Sequence, residues 1–223
     1  MKRVAVTELL DTDSGTPAEI ASSLGDLRRI NRWFGGIATT EAIIQRVAQE
    51  IKASSLSLLE VAAGSGYVPD AARERLKGRG LQLQVTLLDR APSHLNGGNR
   101  AITGDALAIP FRNASFDLVS CTLFAHHLSP EQLMQFVNEA LRVSRVAVLI
   151  NDLIRQPLHL LLVYAGLPLY RSRLTRHDAP ASVRQAYTPE EMMALLAQTA
   201  ALRTQIYHHY LFRMGVIAWK TRA

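Results

Sequence analysis

Cysteine is almost absent: among 223 residues only Cys121 occurs, so no internal disulfide forms and no cluster of thiols is there to hold zinc. No metal site is expected, and this usage fits a reducing, cytoplasmic setting. Long apolar runs are missing too. Nothing approaches the roughly 18 residues of a membrane-spanning helix. The opening MKRVAVTELLDTD puts Glu8 and Asp11 where a secretory signal needs unbroken apolar sequence, so none is expected. Internal repeats and low-complexity tracts are also lacking. Acidic residues are scarce in one region: residues 151–223 carry 9 Lys+Arg against 4 Asp+Glu, whereas residues 1–150 are nearly balanced at 16 to 15. The net charge of +6 therefore resides mainly in the C-terminal third. Between 153 and 187, Arg155, Arg171, Arg173, Arg176 and Arg184 face a single acidic residue, Asp178.

What is present suits one globular core. Apolar residues make up 48 % of the chain and charged residues 20 %, a balance that excludes general disorder. Leu27, Ile30, Phe34 and Ile37 recur at helical spacing beside Trp33, with Gly35 and Gly36 ending that amphipathic helix. A second helix is expected after Thr39 and Thr40, with Ile43, Ile44, Val47, Ala48 and Ile51 on one face.

The pattern then changes. LSLLEV (56–61) is a short apolar run of the kind a parallel strand buried on both faces requires, and LQVTLLD (83–89), RAITGD (100–105), SFDLVSC (115–121) and RVAVLIND (145–152) read similarly. Helical stretches separate most of them, notably 69–77 and 129–143. Ser129-Pro130-Glu131-Gln132 and Thr188-Pro189-Glu190-Glu191 each supply a hydroxyl cap, a proline at the first helical position and a residue that closes a capping box. TQIYHHYL and FRMGVIAWK read as two final strands joined tightly near 211–213. The expected fold is α/β: a doubly wound, mostly parallel, seven-stranded sheet with an antiparallel terminal edge. The whole of 1–223 is expected to be one domain, with 1–38 a helical cover and 153–187 a lid insertion.

In such a sheet ligands bind beyond the carboxyl ends of the strands, at the turn where backbone amides and a helix N-terminus face outward. LEVAAGSG (59–66) places Gly64 and Gly66 in that turn. A dinucleotide pyrophosphate and the amino-acid-bearing nucleoside S-adenosylmethionine compete for it. The dinucleotide fingerprint wants a small residue three positions after the second glycine, where Pro69 stands. Glu60 would repel a pyrophosphate but suits an ammonium group. Asp89 ends the second strand, where a carboxylate accepts from ribose hydroxyls in either case. Asp105 adds an acceptor for an adenine amino group, with Ala106 beside the ring.

LEVAAGSG, VTLLDRAP, GDALAIPFRNASFDLV and CTLFAHHL, in this order and spacing, resemble the class I S-adenosylmethionine-dependent methyltransferases, particularly the small-molecule group that includes the UbiE/Coq5 quinone C-methyltransferases. The resemblance covers about residues 40–152. It implies a Rossmann-like fold with S-adenosyl-L-methionine as cofactor. It also implies Glu60, Ala62, Gly64 and Gly66 around the methionine portion, Asp89 with neighbouring Arg90 at the ribose, Asp105 and Ala106 at adenine, and Thr122 after the fourth strand. Ala62 replaces a glycine common in the family and needs a tolerated backbone angle.

His126 and His127 follow the fourth strand on the substrate side, where an imidazole titrating near neutrality can take a proton from a phenol, an enol or a ring carbon. His126 is preferred as the catalytic base. Cys121 lacks the setting of a nucleophile and is expected inside the strand end. PLHLLLVYAGLPLY, apolar on every side but too short to span a bilayer, is expected to pack on the domain, roof a substrate cavity or enter a membrane interface. A loose likeness to methyltransferases associated with bacterial type III polyketide synthases adds lipophilic phenols to the substrate classes. The expectation is methyl transfer to O or C of a lipophilic small molecule of polyketide, phenol or quinone type, with no nucleic-acid partner. The competing readings are an RNA methyltransferase using the basic surface and a membrane-associated regulator that binds the cofactor without chemistry.

Overall fold

In the computed structural model, which describes residues 1–220 other than 11, 13, 93, 94 and 96–99, the apolar runs become strands. β1 (Ser55–Val61), β2 (Gln82–Asp89), β3 (Ala101–Thr103), β4 (Phe116–Thr122) and β5 (Ser144–Leu153) are mutually parallel. β6 (Arg203–His209) and β7 (Arg213–Trp219) form the expected hairpin. The sheet order is β3-β2-β1-β4-β5-β7-β6, with β7 antiparallel to both neighbours. Each central strand is buried on both faces because alternate side chains supply opposite cores. Leu59, Val61, Val119, Cys121, Val148 and Ile150 face one core; Leu56, Leu58, Leu118, Ala147 and Leu149 face the other. Cys121 is 1 % exposed, as the strand-end expectation requires.

Helices α2 (Gly36–Glu50) and α3 (Tyr67–Lys77) cover one face, and α4 (Pro130–Val143) and α7 (Pro189–Leu196) the other. Both predicted capping boxes form: Ser129 accepts from Gln132 N–H, Thr188 accepts from Glu191 N–H, and proline follows each cap. Losing one such cap costs about 1 kcal/mol. A third box, Thr16 with Glu19, opens α1 (Pro17–Trp33).

The junction between the first two helices departs from the sequence expectation. α1 stops at Trp33, Gly35 turns the chain at φ +80°, and α2 begins at Gly36, so Ile37 belongs to the second helix. Thr39 and Thr40 lie inside α2 on its buried side. The cause is tertiary. Asn151, on β5, donates to Gly36 O at 2.7 Å and to Thr40 Oγ1 at 2.8 Å. The buried Arg213 guanidinium donates to Asn151 Oδ1, Asn31 Oδ1 and Phe34 O at 3.1, 2.9 and 2.8 Å. This network pins the α1–α2 corner to the sheet and sets α1 across the carboxyl ends of the strands.

The 153–187 segment folds as α5 (Pro157–Gly166), a 3-10 turn and α6 (Arg173–Gln185). Ser23 on α1 and Thr175 on α6 share a buried hydrogen bond of 3.0 Å. Asp26 accepts from the amides of Arg171 and Ser172, joining α1 to the start of α6. The N-terminal segment runs beneath them: Asp178 accepts from the amides of Leu9 and Leu10, and Arg3 donates to the carbonyls of Gln185, His126 and Leu128.

Candidate active site

The sheet order reverses between β1 and β4, and a crevice opens there at the carboxyl ends of the strands. The chain leaving β1 coils through left-handed backbone at Ala62, Gly64 and Gly66, with φ of +52°, +51° and +70°. Ala62 thus adopts the angle that its replacement of glycine demanded. Gly64 N–H donates to Asp89 Oδ2 at 2.7 Å, and Ala91 N–H donates to Asp89 Oδ1 at 2.9 Å, so the tip of β2 and the glycine turn form one unit. A Cβ built on Gly64 would meet open space, and the turn presents bare backbone to the crevice. Gly66 is different. It does not line the crevice, and a Cβ there would come within 2.5 Å of the Leu87 side chain. Its lack of a side chain serves the close packing of the turn against Leu87 of β2.

Glu60 is 1 % exposed and accepts from the Ser120 hydroxyl. Burial pushes its carboxyl up to about 7, although Ser120 and Thr122 pull the other way. Thr122 Oγ1 is buried without a hydrogen bond of good geometry. Asp105 lies two residues beyond the short β3; it is exposed and accepts from Leu107 N–H at 2.9 Å, while Ala106 is buried beside it. Arg90 is exposed. Glu60, Ala62, Gly64, Asp89, Arg90, Asp105, Ala106, Thr122, His126 and His127 all line one cavity of about 1500 Å³. That exceeds the roughly 300–1,000 Å³ of a single small-molecule pocket and leaves room for two ligands side by side.

The same cavity holds a polar cluster. His126 is 2 % exposed; its Nδ1 lies 2.6 Å from Asp152 Oδ1, and its own backbone N–H donates to Asp152 Oδ2 at 2.9 Å. Its Nε2 lies 3.5 Å from Glu8 Oε1, and His127 Nε2 lies 4.0 Å from Glu8 Oε2. Ser182 Oγ and Gln185 Nε2 donate to Glu8 Oε1 at 2.6 and 2.7 Å. Burial opposes a charge on His126, but Asp152 and Glu8 outweigh it and raise the imidazole to about 10. His126 is therefore an imidazolium at neutral pH, which corrects the expectation of a histidine titrating near 7. Glu8 and Asp152 both stay ionised: burial works against this, and the His126 charge overcomes it in each. Donor atoms of Glu8, His126 and His127 all lie within 4.8 Å of one another.

Sequence reasoning missed Glu8 and Asp152 as site residues. Asp152 had a signal, its place at the tip of a parallel strand. Glu8 had none, because no periodicity or motif fixes where an irregular N-terminal segment will lie.

The architecture is that of the class I, Rossmann-like methyltransferases. Residues 59–147 match the family model described as "Methyltransferase domain". No curated protein matches the chain. Among solved structures, a SAM-dependent methyltransferase from Aquifex aeolicus is similar at TM-score 0.54 and 17 % identity, covering 74 % of this chain and 82 % of that one. The CurJ carbon methyltransferase is similar at TM-score 0.59 and 12 % identity, with 83 % and 54 % covered. An O-methyltransferase family 2 protein from Planctomyces limnophilus, in complex with apigenin, is similar at 0.53 and 17 %, with 74 % and 50 % covered. The chain spans about half the length of the last two. At these identities the likenesses show the fold. Together with that fold, the match over residues 59–147 gives the chain a methyltransferase domain.

Proposed function

We propose that this methyltransferase acts on a lipophilic small molecule carrying an acidic hydroxyl, a phenol or enol of polyketide or quinone type, at the oxygen or at a ring carbon activated by it. The observation that carries this is the Glu8–His126 pair, held from behind by Asp152, in the same cavity as the glycine turn, with Leu24 and Leu27 from α1 and Leu162 and Val163 from α5 among its other walls. Two structural neighbours, a carbon methyltransferase and an O-methyltransferase, add support from the fold alone. A lone, buried thiol supports a cytoplasmic setting as part of the same reading.

The residues present fit S-adenosylmethionine. The side-chain-free turn at Gly64, the open lone pairs of Asp89, the buried Glu60 carboxyl and the Thr122 hydroxyl beside it offer complements to its carboxylate, ribose and ammonium groups. Asp105 and Ala106 stand where an adenine would be held. When bound, this cofactor supplies an electrophilic methyl group on sulfur.

The chain's own contribution is alignment, exclusion of water and proton transfer. Asp152 fixes the His126 ring through Nδ1, leaving Nε2–H directed at Glu8 and the cavity. A substrate hydroxyl brought against Glu8 gives its proton to that carboxylate as the new bond to carbon forms. His126 Nε2–H donates to the developing oxyanion, a stabilisation strengthened by burial. Glu8 later returns the proton to solvent. The covers α1, α5 and α6 keep water from the reacting atoms.

The test is incubation with methyl-labelled cofactor and a panel of lipophilic phenols, enolic polyketides and quinols, locating the transferred methyl by mass and NMR. Methylation of an acceptor without an acidic hydroxyl, or of RNA in preference to the panel, would overturn the proposal.

A further inference from the structure

Five large apolar or aromatic side chains line the cavity and are at the same time open to solvent: Trp33 (68 %), Phe34 (44 %), Leu162 (47 %), Leu169 (76 %) and Tyr210 (66 %). Side chains with both properties ring the mouth. They converge from three places, the end of α1, the α5 lid and the β6–β7 turn. Leu158, Leu161 and Tyr164 continue the apolar surface along α5. A helix apolar all round is normally buried, yet only His159 of α5 is. A contiguous apolar surface of this kind on a folded chain marks an interaction site.

The border of this surface is basic. Arg28 and Arg32 on α1 and Arg171 and Arg176 after α5 are all exposed. Arg32 lies 5.8 Å over the Trp33 ring, a cation beside an interfacial aromatic. No exposed carboxylate answers them from 153–187, whose one acidic residue, Asp178, is buried and taken up by the amides of Leu9 and Leu10. An apolar patch that enters the acyl boundary, fringed by arginines at headgroup level, complements an anionic bilayer surface. A second copy of the chain is a poorer complement, because an isologous pairing sets two arginine borders against each other.

We infer that the cavity mouth is a docking surface for an anionic lipid bilayer. Docking sets the opening against the membrane, so that a lipophilic acceptor passes from lipid into the cavity without crossing water. This contact is peripheral, since no described helix is long and apolar enough to cross a membrane. It goes beyond the proposed chemistry and stands whether or not the acceptor is a phenol.

The experiment is flotation of the full chain with vesicles of phosphatidylcholine alone and of phosphatidylcholine with roughly one-third phosphatidylglycerol. The chain should float with the anionic vesicles at least about tenfold more than with the neutral ones, and the difference should shrink as salt rises. Trp219 is fully buried, so a blue shift of tryptophan emission on anionic vesicles reports Trp33 entering lipid. The double variant Leu158→Glu/Leu161→Glu lies outside the cavity lining and should lose flotation while its titration with S-adenosylhomocysteine by calorimetry is unchanged. Absence of flotation and of the emission shift in the unmodified chain overturns the inference. So does flotation that survives the double variant, or a dimer seen by light scattering that the variant abolishes while vesicles are ignored.

Discussion

Glu8 Oε1 stands 3.5 Å from Nε2 of His126, although one residue lies in the irregular N-terminal segment and the other just past β4. The contact requires the whole cover to be in place, since Glu8 is held by Ser182 and Gln185 of α6 and its segment by Asp178. The Glu8→Gln substitution keeps the size and removes the proton acceptor. It is expected to lower kcat by about 10²–10³-fold with little change in KM. Steady-state kinetics decides this, alongside a melting curve to show that the cover still docks. An unchanged kcat would remove Glu8 from the mechanism.

The same cluster sets an alkaline limit on stability. His126 is raised to about 10 in the folded protein from an ordinary value of 6.5. Between those values the folded state binds the extra proton, so the stabilisation is complete below about 6.5, falls as pH rises and is gone above about 10. The slope approaches about 1.4 kcal/mol per pH unit in that window. Urea midpoints for the unmodified chain should fall from pH 7 to 9.5, and those for His126→Asn should stay nearly level. Equal slopes for the two would show that the proton is not held at His126.

Gly66→Ala is expected to destabilise more than Gly64→Ala. Both force a side chain into left-handed backbone at about 1–2 kcal/mol. Only at Gly66 does the new Cβ also meet Leu87, at 2.5 Å, whereas at Gly64 it points into open space. Conversely, Gly64→Ala should weaken S-adenosylhomocysteine binding at a site that remains folded. Denaturation midpoints and calorimetry on the two variants separate the packing glycine from the ligand-facing one.

Much of the fold is visible in the sequence because parallel strands buried on both faces leave short apolar runs, and hydroxyl-proline starts announce helices. LSLLEV, LQVTLLD and SFDLVSC fall within a residue of β1, β2 and β4, and the Ser129 and Thr188 caps form as read. The α1–α2 corner was misplaced because Asn151 and Arg213, more than a hundred residues away, decide it. On the side expected to hold the cofactor, the candidate site follows strand tips at regular intervals, and the residues read there, Gly66 apart, line one cavity. It was half legible on the other: His126 stood out, but its charge state depends on Asp152 and Glu8, which only the folded chain brings to it. The apolar lid was readable, while the outward direction of its leucines was not.

Glu60 gives the cofactor side its own pH signature. Burial raises the carboxyl from an ordinary 4.5 to about 7, so between those values it carries a proton in the folded protein. The folded state then binds more protons than the unfolded one, and the unliganded chain loses stability as pH rises from about 4.5 to 7. An ammonium group beside Glu60 favours the ionised form. Affinity for S-adenosylhomocysteine should therefore climb with pH and level off above about 7, with up to about one proton released on binding near pH 6. Calorimetry at pH 6 in two buffers of different ionisation enthalpy measures that proton. Glu60→Gln should abolish the release and weaken binding by about tenfold or more, the worth of one hydrogen bond to a charged group. A variant that binds as tightly as the unmodified chain, with the same pH dependence, would place the ammonium elsewhere in the cavity.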